Sequence, residues 1–373
     1  MKKLLLTALL MASPSFAQTL SAPPSGDNQR SSVTQQIGPV TVTIDYSSPH
    51  VTHNGVDRRG KIWGGLVAYG LSDLGFNNCK SCPWRAGANE NTVFTTSNDV
   101  TIQGQVLPAG KYGLHMIPGK DSFTVIFSKN YSSWGSFSYD AKEDALRVQT
   151  TPGKAPAYHE YLTYEFTDRQ PAKATVALQW EELQIPMTIE VTNAGQIYAL
   201  RNRDELRGPV GFDWHNVQQA ADNAIKNKVL LTDSLEWAKK ATDPAFGGDA
   251  NFNTLMTLSS AQAANGKTDE AAKTEEKALN DPTAKPIDLH LAGRKMLAAG
   301  KKDQAMKIFQ LNAKRFPNQW PTHVGLMRGY AAMGDNAKAL SEAKLAVAQA
   351  PDEGNKKNLQ GVIESLQAGK KID

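Results

Sequence analysis

Trp84, Arg85, Asn89 and Glu90 stand together in the string Trp-Arg-Ala-Gly-Ala-Asn-Glu, a dense concentration of recognition chemistry. Arginine offers five donors in a rigid fork, asparagine a donor and an acceptor, glutamate a carboxylate, and tryptophan a flat apolar plate. Gly87 and Ala88 keep the backbone between them bare, so a ligand could approach closely. A structural reading stands beside this one: Arg85 pairs with Glu90 or Asp144, and Trp84 fills a corner of the core. Asp144 and Arg147, three residues apart at the entry to a predicted strand, form a local ion pair or contribute to the same site. His115 falls in a predicted strand over 111–117, on the face opposite Tyr112, Leu114 and Met116. On that polar face an imidazole could serve as ligand or base, because its ordinary pKa lies near neutrality; a surface or hydrogen-bonded histidine is the plain alternative. The candidate acids and bases are thus Glu90, Asp144 and His115. The candidate ligand-binding residues are Trp84, Arg85, Asn89, Glu90 and Arg147. Tyr46, Trp63, Trp134 and Trp180 are large side chains expected in the core.

Both cysteines lie in Cys79-Lys-Ser-Cys82, and the amino terminus sets their chemical environment. Lys2 and Lys3 precede an apolar run from Leu4 to Ala12, and Ser15-Phe16-Ala17 is a small-x-small cleavage site, so residues 1–17 read as a signal peptide. The run is too short to span a bilayer, for which about 20 residues are needed, and no later stretch reaches that length. An exported chain, periplasmic or secreted, with no transmembrane segment after cleavage is therefore expected. In that oxidising setting a disulfide between Cys79 and Cys82 is the leading reading, contributing about 2 kcal/mol across so short a loop. A tetrahedral zinc site combining them with His50 and His53 is the alternative, although neither pair sits in a recognisable finger or ribbon. A redox pair would call for a thioredoxin-like strand and helix start, which the pattern lacks. Haem attachment is excluded because Pro83 follows the second cysteine. No nucleophile elbow, phosphate loop, dinucleotide fingerprint or His-Glu-x-x-His occurs, and no cofactor is expected.

The elements that must position these residues divide the chain in two, as its 373 residues suggest. Residues 18–30 are rich in Pro, Ser, Gly and Asn and read as a flexible leader. Over 31–195 the apolar period is two, as in Val40, Val42, Ile44 and Tyr46. Hairpins are expected around Ser97-Asn98-Asp99 and Pro118-Gly119, with further strands at 146–150, 158–166, 175–180 and 185–191. About nine short strands without intervening helical periodicity predict an all-β antiparallel sandwich or jelly-roll-like domain. After a linker over 196–212 the period becomes helical. Gly266, Gly300 and Gly334 recur every 34 residues, as do Ala271, Ala305 and Ala339, while Pro317 and Pro351 keep the same interval. That is the signature of tetratricopeptide-type helical hairpins, predicted over 213–370, with 214–244 as an atypical end cap.

A wider set of strings carries a resemblance. Tyr46-Ser-Ser-Pro49, Gly60-Lys-Ile-Trp-Gly64, Leu66-Val-Ala-Tyr-Gly70, Trp84-Arg-Ala-Gly-Ala-Asn-Glu90 and Leu107-Pro-Ala-Gly-Lys-Tyr-Gly113 resemble the bacterial exported family catalogued as domain of unknown function 2911. The likeness continues through Trp134-Gly135, Tyr139, Asp144-Ala-Leu-Arg147 and Trp180-Glu181, covering roughly residues 31–191. Two departures are Ser48, where the family often has Arg, and an apparent insertion over 71–83 that carries both cysteines. The resemblance implies an exported β domain, for which tetratricopeptide-like tails are known, and no established activity.

The formal charge of +4 falls to +2 once Lys2 and Lys3 are removed, and it is scattered. Nucleic-acid binders concentrate a basic face, so no nucleic-acid partner is expected; Arg58-Arg59-Gly-Lys61 reads as a solvated or ion-paired loop. The expectation is a binding and interaction protein. Its helical repeats would hold a protein partner on their concave surface, and its β domain a small or envelope-derived ligand near Arg85, Asn89 and Glu90. The alternatives are that the array only packs on the sandwich or forms a dimer, and that the protein is a cell-envelope hydrolase using Glu90, Asp144 or His115 as acid or base. Convergence of those three on one cleft would favour the enzyme.

Overall fold

The computed structural model describes residues 28–75, 79–370 and 372. The predicted signal peptide and most of the predicted leader lie outside the described residues. The chain divides between Ala194 and Gly195 into a β unit and a helical unit.

Twelve strands are present among the described residues: β1 Gln29–Ile37, β2 Val40–Ser48, β3 Thr52–His53, β4 Val56–Asp57, β5 Thr92–Thr96, β6 Val100–Ile102, β7 Gln105–Leu107, β8 Gly110–Ile117, β9 Phe123–Ser128, β10 Asp144–Thr150, β11 Gly153–Gln170 and β12 Lys173–Glu190. They form a six-stranded sheet, ordered β1-β2-β5-β8-β9-β10, and a four-stranded sheet, ordered β11-β12-β6-β7, with β3 and β4 as a separate ribbon. Every pairing is antiparallel. Alternation explains the core: Val40, Val42, Ile44 and Tyr46 of β2 and Tyr112, Leu114 and Met116 of β8 are buried. Leu162, Tyr164 and Phe166 of β11 and Val176, Leu178 and Trp180 of β12 are buried from the other sheet. Tyr46 and Tyr164 meet edge to face at 4.9 Å between ring centres, and the Tyr164 N–H donates to the Tyr46 hydroxyl.

Several expectations change. Gln29 and Arg30, expected in the leader, belong to β1, an edge strand with few apolar side chains that is held by its ladder to β2. Ser97-Asn98-Asp99 joins two sheets instead of closing a hairpin, because β5 pairs with β8 and β6 pairs with β7 and β12. The two strands expected at 175–180 and 185–191 lie largely in the single strand β12. Its large buried apolar side chains, Val176, Leu178 and Trp180, fall on even positions and those from Ile185 to Ile189 on odd ones, across Glu181 with φ of 52°, which is the mark of a bulge.

Residues 196–212, expected as a linker, hold most of helix α1, Ala194–Glu205, and a 3-10 turn at Pro209–Phe212. Then follow α2 Trp214–Asn227, α3 Leu231–Thr242, α4 Phe252–Ala264, α5 Thr268–Asn280, α6 Pro286–Ala298, α7 Lys302–Arg315, α8 Trp320–Ala332, α9 Asn336–Ala348 and α10 Glu353–Gln367. From α2 to α9 they form four antiparallel hairpins, with α2 alongside α4 and α6 alongside α8. Gly266, Gly300 and Gly334 end the first helices of the last three hairpins with φ of 77°, 76° and 85°, a left-handed turn that glycine adopts without strain. Ala271, Ala305 and Ala339 are buried where the hairpin helices cross. Phe309 of α7 is fully buried, and a Cβ on Gly293 of α6 or Gly325 of α8 would come within 2.3 or 2.6 Å of its ring. No helix among the described residues is long and apolar enough to cross a membrane.

Candidate functional site

The Trp84–Glu90 segment enters as a strand and leaves as a tight loop. Trp84 exchanges two 2.8 Å backbone hydrogen bonds with Met116, continuing beside β8 the lane that β5 occupies further along. Ala86 and Asn89 then take left-handed conformations, with φ of 50° and 54°. The Ala86 carbonyl accepts from the Thr92 hydroxyl at 3.1 Å and the Tyr164 hydroxyl at 2.8 Å, and the Ala88 N–H donates to Ser47. A Cβ on Gly87 would lie 2.6 Å from Thr92 Oγ1 and 3.2 Å from the Ser47 carbonyl oxygen. The bare backbone at Gly87 therefore serves the packing of the loop itself.

This loop walls a cavity of about 330 Å³ whose lining includes Trp84, Arg85, Arg58, His53, Trp180 and Leu74. Trp84 and Trp180 stack, 6.3 Å between centres and 15° apart in plane, with Trp63 edge-on to both. The indole N–H groups of Trp63 and Trp180 are buried without a hydrogen-bond acceptor among the described residues. Arg58 donates through Nε and Nη2 to the carbonyls of Val51 and His50. Arg85 donates through Nη1 to the Asn89 carbonyl at 2.6 Å, and its guanidinium lies over the Phe137 ring. Burial lowers its pKa. No carboxylate among the described residues forms an ion pair with Arg85 or Arg58.

The pairing expected between Arg85 and Glu90 or Asp144 is replaced by other contacts. Glu90 accepts from the Ser47 hydroxyl at 3.0 Å and faces Arg30 at 3.5 Å, while the Asn89 side chain accepts from Asn28. Asp144 and Arg147 do pair, and Tyr139 joins them: its hydroxyl donates to Asp144 Oδ2 at 2.9 Å and accepts from Arg147 at 2.8 Å. The other Asp144 oxygen is buried without a hydrogen-bond partner among the described residues. Burial, followed by the carboxylate, raises the Tyr139 pKa well above its ordinary value.

His115 is buried, contrary to its expected place on a polar face. Residues 129–143 cover that face, bringing the Asn130 carbonyl against Gly113 and Ser136 Oγ to 2.9 Å from His115 Nδ1. Burial first, and then the charge of Arg85, lower the His115 pKa to about 4. Its ring packs against Tyr139, 5.4 Å between centres. His115 and Asp144 thus flank Tyr139, whereas Glu90 makes its contacts with Ser47 and Arg30. The three candidate acids and bases do not meet in the cavity.

Of the expected ligand-binding residues, Trp84 and Arg85 line the cavity and Asn89, Glu90 and Arg147 do not. Arg58 and Trp180 line it and were not legible as site residues, since they are scattered in sequence; His53, expected only as an alternative zinc ligand, lines it too. Trp134, expected in the core, is 54% exposed. Cys79 and Cys82 are joined as a disulfide, so their sulfurs are not thiolate ligands. His50 and His53 lie edge to face, with His50 stacked on Tyr161. Among the described residues no group of three or more His, Cys, Asp or Glu is placed to hold a metal ion.

The helical unit carries its own hollows. One, of about 840 Å³, lies beside α1 and α2 and is lined by amides such as Asn202 and Asn223, which hydrogen-bond to each other. A smaller one of about 330 Å³ is lined by Arg294 and Leu297 of α6, Lys302 of α7, Arg328 and Ala332 of α8, and Ile372. Arg294 and Arg328 are 34 residues apart and so occupy equivalent positions in successive hairpins.

Fold and sites define a two-unit protein, an antiparallel β unit followed by a tetratricopeptide-like helical array. Residues 28–189 match the model of a family described as protein of unknown function (DUF2911). No curated protein matches the chain. Among solved structures it is similar to a thermophilic TPR protein from Thermus thermophilus, at 18% identity and a TM-score of 0.31, over 47% of this chain and 91% of that one.

Proposed function

We propose that the protein is an exported, periplasmic binding protein whose helical repeats hold a protein partner and whose β unit holds a small ligand in the Trp84–Arg85 cavity. The observation that carries the partner role is the basic hollow on α6, α7 and α8, where equivalent arginines of two repeats and Lys302 line one cavity. Stacked hairpins offer such a surface to an extended segment, and three cations favour one with acidic side chains. Ile287 and Leu291, exposed along α6, supply apolar contact beside it. The Cys79–Cys82 bridge supports an oxidising compartment.

Photo-crosslinking from position 291 in the envelope of the native cell tests the reading, with position 307 on α7 as control. A discrete adduct from 291, absent at 307 and lost on Arg294→Glu with Arg328→Glu, is expected. Equal labelling from both positions would contradict it.

A further inference from the structure

The segment that follows α10 returns to the array. Gly369 has φ of 70°, its N–H donates to the Leu366 carbonyl, and the Lys370 N–H donates to the Ser365 carbonyl. That pair of bonds around a left-handed glycine is the Schellman arrangement, which ends a helix and fixes how the chain leaves it. Beyond the cap Ile372, partly buried, packs against the apolar cluster that Val324 and Met327 of α8 share with Ala343 of α9 and Leu359 and Leu366 of α10. The same isoleucine lines the hollow of about 330 Å³ on α6, α7 and α8. The other apolar lining there is Leu297, Ala298 and Ala332, beside the three cations, and no acid among the described residues lines it. After burial, Arg294 and then Arg328 lower the pKa of His290 in α6, so both charges act on one stretch between α6 and α8.

We propose that Ile372 is a built-in latch on the partner-binding hollow, a role that rests on the partner binding proposed above for the repeats. Ile372 fills the apolar position that a partner segment with aliphatic side chains between acidic ones must take, and such a segment displaces it. The isoleucine supplies the apolar half of the chemistry that the hollow calls for and none of the negative charge. An acidic segment therefore gains charge pairing with Arg294, Arg328 and Lys302 that the latch lacks. Attachment to α10 keeps Ile372 at high effective concentration, while a single partly buried side chain is a weak enough hold to yield to a partner.

The test measures fluorescence polarisation of a labelled hexapeptide of alternating Asp and Ile against the full-length chain and its variants, with a hexapeptide of alternating Lys and Ile as control. Ile372→Ser should bind the acidic peptide about fivefold more tightly than the parent chain, as release of a partly buried isoleucine implies. Arg294→Glu with Arg328→Glu should abolish binding in both backgrounds, and the Lys peptide should not bind. Thermal melts establish that each variant is folded, and Ile372→Ala, expected to act in the same direction, carries the test should Ile372→Ser not fold. Equal affinity of the parent and Ile372→Ser would overturn the latch while leaving the partner surface. Weaker binding by Ile372→Ser would overturn it too, by making Ile372 part of the surface that the partner uses. Binding of the acidic peptide to neither chain, or equal binding of the Lys peptide, would overturn the acidic-partner reading itself.

Discussion

Trp84 and Met116 exchange both backbone hydrogen bonds at 2.8 Å, and two residues before Trp84 the chain does the same between Cys82 and Ser72, at 2.8 and 3.0 Å. The disulfide segment is thus continuous with the cavity wall, and it contributes Leu74 and Pro83 to the lining. Cys79 is further tied by its N–H to the carbonyl of Phe137, the residue under Arg85.

Replacing both cysteines by serine should therefore act on the site as well as on the loop. The chain-entropy contribution of so short a bridge is about 2 kcal/mol, and that loss should appear in urea unfolding. The near-ultraviolet circular dichroism of the stacked tryptophans should change as well. An unaltered tryptophan signal would mean that the bridge shapes only residues 71–83.

His115 makes the β unit acid-sensitive. Its folded pKa of about 4 lies below the ordinary 6.5, so between those values the unfolded chain binds more protons and stability falls as pH falls. At about 1.4 kcal/mol for each pH unit over which the ring must stay neutral, the loss from pH 7 to pH 4 is on the order of 3 kcal/mol from this group. His290 in α6 is lowered to about 4 by burial, then by Arg294 and Arg328, and acts in the same direction on the helical unit. Denaturant midpoints across pH 4 to 7 should show the decline, and His115→Asn should flatten it for the β unit. An equally steep decline in that variant would place the proton elsewhere.

Gly293 is set by Phe309. An alanine there meets the ring at 2.3 Å, and overpacking costs about 1–3 kcal/mol against about 1 kcal/mol returned by helix propensity. Gly293→Ala should lower the melting temperature of the helical unit, and the same change in a Phe309→Leu background should be neutral or stabilising. Destabilisation of equal size in both backgrounds would remove Phe309 as the cause.

The helical unit should fold alone when cut at Gly195, within the first turn of α1. Gly195 packs on Asn227, and Asn202 accepts from Asn223, so residues 195–373 should melt cooperatively, while loss of α1 should lower the midpoint. A disordered circular dichroism spectrum for 195–373 would show that the array needs the β unit.

What the sequence could reveal depended on how locally each feature is encoded. The repeats were legible because Gly266, Gly300 and Gly334 mark a backbone conformation that each hairpin needs. Helix α1 was not, since the polar run Arg201 to Glu205 hides a weakly amphipathic turn pattern. Period-two alternation located β2 and β8 but could not say which sheet β6 enters, and the bulge near Glu181 made one strand resemble two. Trp84 and Arg85 could be picked out within one string. Arg58, His53 and Trp180 reach the same cavity from distant segments, and the burial of His115 depends on residues 129–143, which carry no periodic signal.

The proposed partner surface can be mapped by hydrogen exchange on a partner complex purified from the native cell, compared with the free full-length chain. Protection is expected over 286–298 and 320–332, the helices that bear Arg294 and Arg328, with little change over 302–315 and 336–348 away from Lys302. Protection confined to the second helices of the hairpins, or none in the helical unit, would contradict the assignment of the repeats as the partner-binding surface.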